Sequence, residues 1–364
     1  MNVFLDSYLN NNLGDDLMID MLCERYPQHH FFIANSNRLT HFAINRGNLH
    51  VIDPIYPTEN QIFLRIVNKV LSYFKIPKLQ LLKFKRSHYD ALLIMGGSIF
   101  KQITPKSWIN KVVDGKYLVK QVKKCVVINC NFGPFQTAEF LEEHRILMQK
   151  YNYVTFRDFY SYELFKELPN VRYYPDMVFS KNIINNSKGI IGISVISKDN
   201  RGINGYSDMY VKNMASLVTE LCKKHRVRLY SFCVNEGDTQ TCEEIIQAAN
   251  CSDVKIVEHV ELYKTMNSIS ELSGFVCTRF HSNVIALRMH IPFLPIIYER
   301  KTDDMLNDVG YTGYRWYIKN GETVDLVKAL DELKKPVLYC NNYINNAQGH
   351  FEVLDRIFRV EERG

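Results

Sequence analysis

The sequence predicts two Rossmann-like α/β domains facing one another across a cleft. Three observations carry that prediction. At 364 residues the chain exceeds the size at which a single hydrophobic core usually stops growing. Short apolar runs bounded by turn residues alternate with helix-length segments, the rhythm of a parallel sheet covered on both faces. A polar stretch at 181–189, K-N-I-I-N-N-S-K-G, separates two such series and reads as a linker. The expected bounds are 1–181 for the first domain and 189–345 for the second. Residues 346–364 carry Val353, Leu354, Ile357 and Phe358 on one face and read as a C-terminal helix that crosses back to the first domain.

Residues 3–5, 31–34, 51–52, 91–95, 126–129 and 154–156 read as buried strands of the first domain, and 190–194, 228–232, 255–257, 274–277 and 294–298 as those of the second. Such sheets bind ligands beyond the carboxyl ends of their strands, so chemistry is expected in the loops there. After the first strand, N-N-N-L-G-D-D-L-M sets Asn12 and Gly14 before an amphipathic helix. Its free N–H groups attract anions, whereas Asp15 and Asp16 equally suit a capped helix start. The fourth strand leads to Gly96 and Gly97, and the fifth to Gly133 in N-F-G-P-F. These glycines either admit a ligand to the backbone or simply turn the chain. Arg157 and Asp158 end the sixth strand, either as an ion pair or with the arginine as a fork for carboxylate or phosphate. Asp176, in Y-P-D-M-V-F, is a turn-forming carboxylate or a general base facing the cleft.

Residues 278–301 hold Arg279, His281, Arg288, Arg300 and Lys301, with no acid before Glu299. A helix expected to begin near Ser282 sets Arg279 and His281 at a strand-to-helix turn, where N–H groups and the helix dipole favour an anion. Arg300 and Lys301 follow the next strand at the same sheet edge. Anion binding is therefore the better reading of the group.

Composition narrows the classes. With 46% hydrophobic and 23% charged residues the chain is an ordinary globular protein and not a disordered one. A net charge of +6 fits an anionic substrate or membrane surface and is too weak to argue for nucleic acid. Nine cysteines without a C-x-x-C predict reduced thiols and a cytoplasmic location. No signal peptide, membrane span, metal or other cofactor is expected. Residues 60–89 stand apart: Arg65, Lys69, Lys75, Lys78, Lys83, Lys85 and Arg86 occur there without one acid, beside an apolar helical stripe through Ile62, Phe63, Ile66, Val67, Val70, Leu71 and Phe74. The segment reads as a helix at the surface of an anionic bilayer, or as one packed on the sheet with a solvated basic face. Tyr311, Tyr314, Trp316 and Tyr317 read as core or as a platform for a sugar ring.

Taken in order, these motifs resemble those of the polysaccharide pyruvyltransferase family. The matching residues are Asn12-Leu13-Gly14-Asp15, Gly96-Gly97, Gly133-Pro134, Arg157-Asp158 with Ser161, Pro175-Asp176, and Arg279-Phe280-His281 followed by Ala286, Pro292, Tyr298 and Lys301. Asp16, Asn131 and His290 depart from the pattern. The resemblance implies a fold similar to GT-B glycosyltransferases. It also implies transfer of pyruvyl from phosphoenolpyruvate to two hydroxyls of one sugar, on a lipid-linked glycan destined for exopolysaccharide or capsule, at the inner face of the cell membrane. Arg157, Arg279, His281 and Lys301 would then hold phosphoenolpyruvate, with His281 as general acid and Asp176 or Asp15 as base. Two other classes stay open: a glycosyltransferase using a nucleotide sugar, and an inactive glycan-binding relative.

Overall fold

The computed structural model describes residues 1–53, 62–74, 76–78, 88–104, 108–337 and 341–359. Its first sheet has seven parallel strands: β1 (Asn2–Asp6), β2 (His30–Ala34), β3 (Leu49–Ile52), β4 (Ala91–Met95), β5 (Lys124–Cys130), β6 (Tyr153–Phe156) and β7 (Val171–Tyr173). Their order is β3-β2-β1-β4-β5-β6-β7. The second sheet contains β8 (Ile190–Val195), β9 (Arg226–Ser231), β10 (Lys255–Glu258), β11 (Leu272–Cys277), β12 (Phe293–Ile297) and β13 (Trp316–Tyr317), in the order β10-β9-β8-β11-β12-β13. Each sheet starts in its middle, winds outward one way and then crosses to the other side. The reversals lie between β1 and β4 and between β8 and β11, the points at which doubly wound sheets open a crevice.

The central strands are apolar without alternation because helices cover both faces. Every residue of β4, β8 and β12 is buried. One apolar cluster fills the outer layer of the first domain around Phe132, Phe140 and Phe165, and another that of the second around Tyr210, Leu217 and Trp316. A third runs through both domains, joining Leu13, Leu17 and Phe31 to Phe232, Ile285 and Phe351. The two domains therefore share apolar core across their junction.

The helix Leu13–Arg25 is central to that junction. Asn12 caps it, its side-chain oxygen accepting from the Gly14 N–H at 3.2 Å, and the Leu13 N–H donates across to the Phe232 carbonyl at 3.0 Å. Asp16 meets His259 of the second domain at 2.8 Å, both buried. One turn on, Asp20 accepts from Arg46 at 2.7 Å and from the Tyr263 hydroxyl at 3.2 Å. The C-terminal helix Gly349–Arg359 packs on the first domain: His350 contacts Thr155 at 2.8 Å and the Pro175 carbonyl at 2.9 Å, and Lys124 donates to the Ile357 carbonyl at 2.8 Å. In the expected basic segment, residues 62–73 form a helix, while Lys75, Lys83, Lys85 and Arg86 lie outside the described residues. Among the described residues no helix is long and apolar enough to cross a membrane.

Candidate active site

The two chain reversals face each other across a cleft of about 610 Å³. Asn12, Asp15, Gly96, Gly97, Lys101 and Arg157 line it from the first domain, and Glu236, Arg279, His281, Tyr298, Glu299 and Lys301 from the second.

Arg157 leaves the end of β6, its N–H bonded to the Cys130 carbonyl at 2.9 Å. The guanidinium donates to Asp176 at 2.9 Å and to Asn131 at 3.1 Å. It also lies over the Phe280 ring, 4.0 Å from its centroid, so an aromatic of the second domain and a carboxylate of the first hold it flat. Its Nε is buried without a hydrogen-bond partner. Gly97 makes this position available, because a Cβ there would overlap the guanidinium.

Asp176 caps a short helical turn by accepting from the Val178 N–H at 3.0 Å, and it accepts from the Asn129 side chain at 3.2 Å. Asn129 reaches it from an irregular point in β5, with a left-handed φ of 58°, a conformation Asn adopts more readily than most residues. Burial works to raise the Asp176 carboxyl. His281, Arg157 and the Val178 N–H outweigh it and hold the group well below the usual carboxylate range. Asp176 is thus a buried anion facing Arg157, outside the cleft lining, and not the open carboxylate that a general base at the cleft surface requires.

His281 opens the helix Phe280–Arg288 after β11. Its Nε2 sits 3.7 Å from Asp176, beyond hydrogen-bond length, and has no hydrogen-bond partner. The imidazole lies against Gly14, where a Cβ would overlap the ring. Burial lowers its pKa; Asp176 pulls it upward, and the charges of Arg157 and Lys301 lower it again.

Across the cleft, Glu299 draws two lysines together: Lys101 of the first domain at 3.2 Å and Lys301 of the second at 2.9 Å. Burial alone would raise Glu299, yet the two ammonium groups bring it down to about 2. Lys101 is lowered by burial and by the charge of Lys301. Asp15 behaves oppositely. Burial and the neighbouring Asp16 push it up to about 7, with Arg157 and Lys301 acting against them. Asp15 is consequently the cleft carboxyl that exchanges a proton near neutrality.

The cleft thus gathers Arg157, His281, Lys301, Asp15, Asn12, Gly96 and Gly97 of the expected residues. Arg279 also reaches it, but its guanidinium is committed to Asp238 through two nitrogens and to Glu236 at 2.6 Å. It braces the cleft wall more than it offers a free fork. Gly133 lies outside the lining, in a loop where Phe132 donates to the Ser161 hydroxyl at 2.7 Å and Ser161 donates to Asp158 at 2.9 Å. Arg300 is exposed, paired with Asp304 at 3.1 Å and stacked over Tyr160. Tyr311 and Trp316 are buried core residues. Sequence reasoning missed Lys101, Glu299, Asn129 and Phe280 as site residues. Lys101 and Glu299 each stand just past a strand that was recognised, which is the signal that would have found them.

Solved structures resemble this fold along its whole length. A putative UDP-N-acetylglucosamine 2-epimerase from Listeria monocytogenes superposes with a TM-score of 0.59 at 12% identity, covering 100% of this chain and 97% of that one. The UDP-GlcNAc 2-epimerase from Methanocaldococcus jannaschii gives 0.58 at 12% identity, with 98% and 99% covered. The Neisseria meningitidis UDP-GlcNAc 2-epimerase bound to UDP-GlcNAc gives 0.56 at 12% identity, with 99% and 100% covered. At such identities the likeness establishes the GT-B-type fold alone. A search of curated proteins finds no match. The profile of one protein family, described as polysaccharide pyruvyl transferase, matches residues 12–300.

Proposed function

Because this chain belongs to the polysaccharide pyruvyl transferase family, we propose that it transfers pyruvyl from phosphoenolpyruvate to two hydroxyls of one sugar in a lipid-linked glycan, forming a cyclic ketal and releasing phosphate. The observation that carries this reading is the convergence of Arg157, His281, Lys301 and Lys101 on one cleft around Asp15. Phosphoenolpyruvate presents a phosphate and a carboxylate a few bonds apart, and fixed cations from two domains match that double charge.

Protonation of C3 makes C2 oxocarbenium-like, and one sugar hydroxyl bonds to C2. The C2–O bond to phosphate then breaks, and the second hydroxyl closes the ring. Of the two hydroxyl protons released, one replaces that taken up by C3 and the other leaves with phosphate. His281 suits the acid role: its imidazole rests neutral among cations and gains basicity once an anionic substrate arrives, so the proton enters with the substrate. Asp15 suits the base that accepts a hydroxyl proton, being poised at about 7. Asp176 acts through Arg157 and His281 as a positioning residue.

The test is acceptor-dependent phosphate release from phosphoenolpyruvate over a panel of synthetic and lipid-linked glycosides, with His281→Ala as control. Release that disappears in the variant, together with a product carrying a pyruvyl ketal, supports the reading. Turnover of a nucleotide sugar with phosphoenolpyruvate ignored would replace it with glycosyl transfer.

A further inference from the structure

The cleft grades from a buried floor to an open mouth, and its cations divide along that gradient. Arg157 and His281 are buried, while Lys101 and Lys301 are partly buried and share Glu299. Two further cations line the same cleft, Lys111 and Arg201, and both are exposed. Among the described residues the Arg201 guanidinium has no ion-pair or hydrogen-bond partner. Lys111 rises from the first turn of the helix Ile109–Leu118. Its ammonium is 3.5 Å from the Ile99 carbonyl, with Asp6 attracting it and Lys78 repelling it from beyond ion-pair range. The fold builds Arg201 into place. Asn200 caps the single turn Arg201–Ile203 by accepting from the Gly202 N–H at 2.8 Å. The Asn200 N–H donates to the Ser197 carbonyl at 3.0 Å, and the Ser197 N–H to Asp238 at 2.9 Å, the carboxylate that also holds Arg279. Gly202 lets the turn sit against Tyr298, whose ring a Cβ there would overlap. Because the next residue, Glu299, reaches Lys101, Arg201 stands on the side of the cleft along which the segment after β4 passes. That segment leads to Ile103, apolar yet 58% exposed and part of the same lining.

We propose that this mouth is the subsite for the far end of the acceptor, a diphosphate joining the sugar to a long-chain alcohol, with Arg201 and Lys111 holding the diphosphate and Ile103 meeting the first carbons of the chain. The inference rests on the pyruvyl-transfer reading and assigns the part of the acceptor that the mouth recognises. Phosphoenolpyruvate does not account for these residues: its two anionic groups lie a few bonds apart and are matched by the cations deeper in the cleft. A glycan without a charged end presents hydroxyls, which free cations serve poorly. A planar guanidinium and a mobile ammonium are the two side chains that phosphate groups select. An exposed isoleucine sharing their cleft mouth fits a ligand that turns from anionic to apolar over a few bonds.

The experiment is calorimetric titration of the full chain with farnesyl diphosphate below its micellar concentration, with and without saturating phosphoenolpyruvate. Inorganic diphosphate, farnesol and UDP are the comparison ligands, and wild type is set beside a Lys111→Ala/Arg201→Ala double variant. Both substituted side chains are exposed, so an unchanged melting temperature is expected to show that the fold is intact. Farnesyl diphosphate is expected to bind the wild type saturably whether or not phosphoenolpyruvate is present, and more tightly than any of the comparison ligands. The variant is expected to lose about tenfold or more of that affinity, with phosphoenolpyruvate affinity falling by less than about threefold at physiological salt. Farnesyl diphosphate that fails to bind, that phosphoenolpyruvate displaces, that binds the variant equally, or that inorganic diphosphate or UDP matches overturns the proposal. A wild type that binds farnesyl diphosphate as expected, loses that binding in the variant and ignores phosphoenolpyruvate supports the subsite and counts against pyruvyl transfer, which keeps the two failures apart.

Discussion

Glycine and histidine make the most specific contact in the site. A methyl group at Gly14 would overlap the His281 ring, so Gly14→Ala is expected to push the imidazole out of place, lowering turnover at least about a hundredfold and lowering the melting temperature as well, since the overlap falls in a packed junction. Steady-state kinetics beside a thermal melt check it; a variant with normal kcat would separate His281 from the chemistry. Asp15 supplies a second prediction. Its pKa of about 7 in the fold lies above the 3.8 of an ordinary Asp, so the folded state binds this proton more tightly. Stability from this group is therefore present below pH 4 or so and falls as pH rises toward about 7. Asp15→Asn is expected to raise the melting temperature at pH 8 and not at pH 4, and to remove an inflection near pH 7 from the kcat/KM profile. At this scale the sequence was legible where a residue type has one dominant chemistry. Arg157 and Lys301 were identifiable as cations, and His281 as a titratable group, at strand ends. The distinction between Arg157 and Arg279 was not legible, because it depends on Glu236 and Asp238, which lie more than forty positions from Arg279 and reach it only through the fold.

Strands and caps set where those side chains stand. Asp158 caps the helix Phe159–Glu163 by accepting from the Ser161 N–H at 2.7 Å, and Ser161 also holds the loop after β5 through the Phe132 N–H. Asp158→Ala is expected to lower stability by about 1 kcal/mol from the lost cap and to raise KM for phosphoenolpyruvate as Arg157 beside it loosens; chemical denaturation and initial rates test both halves. The C-terminal helix gives a contrasting case. Leu354 is fully buried in the shared core, and Leu354→Ala is expected to cost about 2 to 5 kcal/mol while leaving KM unaltered, since no residue of that helix lines the cleft. Eleven of the strands among the described residues could be read from apolar runs, nine of them because central parallel strands have no polar face to interrupt them; β3 and β10, expected as buried, lie at the sheet edges with no buried residue. The two that escaped, β7 and β13, are edge strands of three and two residues, too short to leave a periodic signal. The left-handed turn of Asn129 within β5 escaped for another reason: an asparagine in an apolar run looks like a strand residue until its partner Asp176 is in place.

Considered as a whole, the molecule draws the cationic side chains of its cleft from both domains and joins the two by a shared core and buried polar contacts at the helix Leu13–Arg25. The pairing of Lys101 and Lys301 on Glu299 spans the cleft and sets a carboxylate between two like charges. That arrangement was legible in the sequence only as two sets of loops at two sheet edges; that they face each other depends on the shared core and the polar contacts of the junction, which join residues far apart in the chain. The central claim is that this cleft binds phosphoenolpyruvate, and calorimetric titration tests it without knowledge of the acceptor sugar. Phosphoenolpyruvate is expected to bind the wild type saturably, with affinity reduced at least about tenfold in Lys301→Ala and in Arg157→Ala. Absence of phosphoenolpyruvate binding by a folded wild type, with a nucleotide sugar bound in its place, would contradict the account.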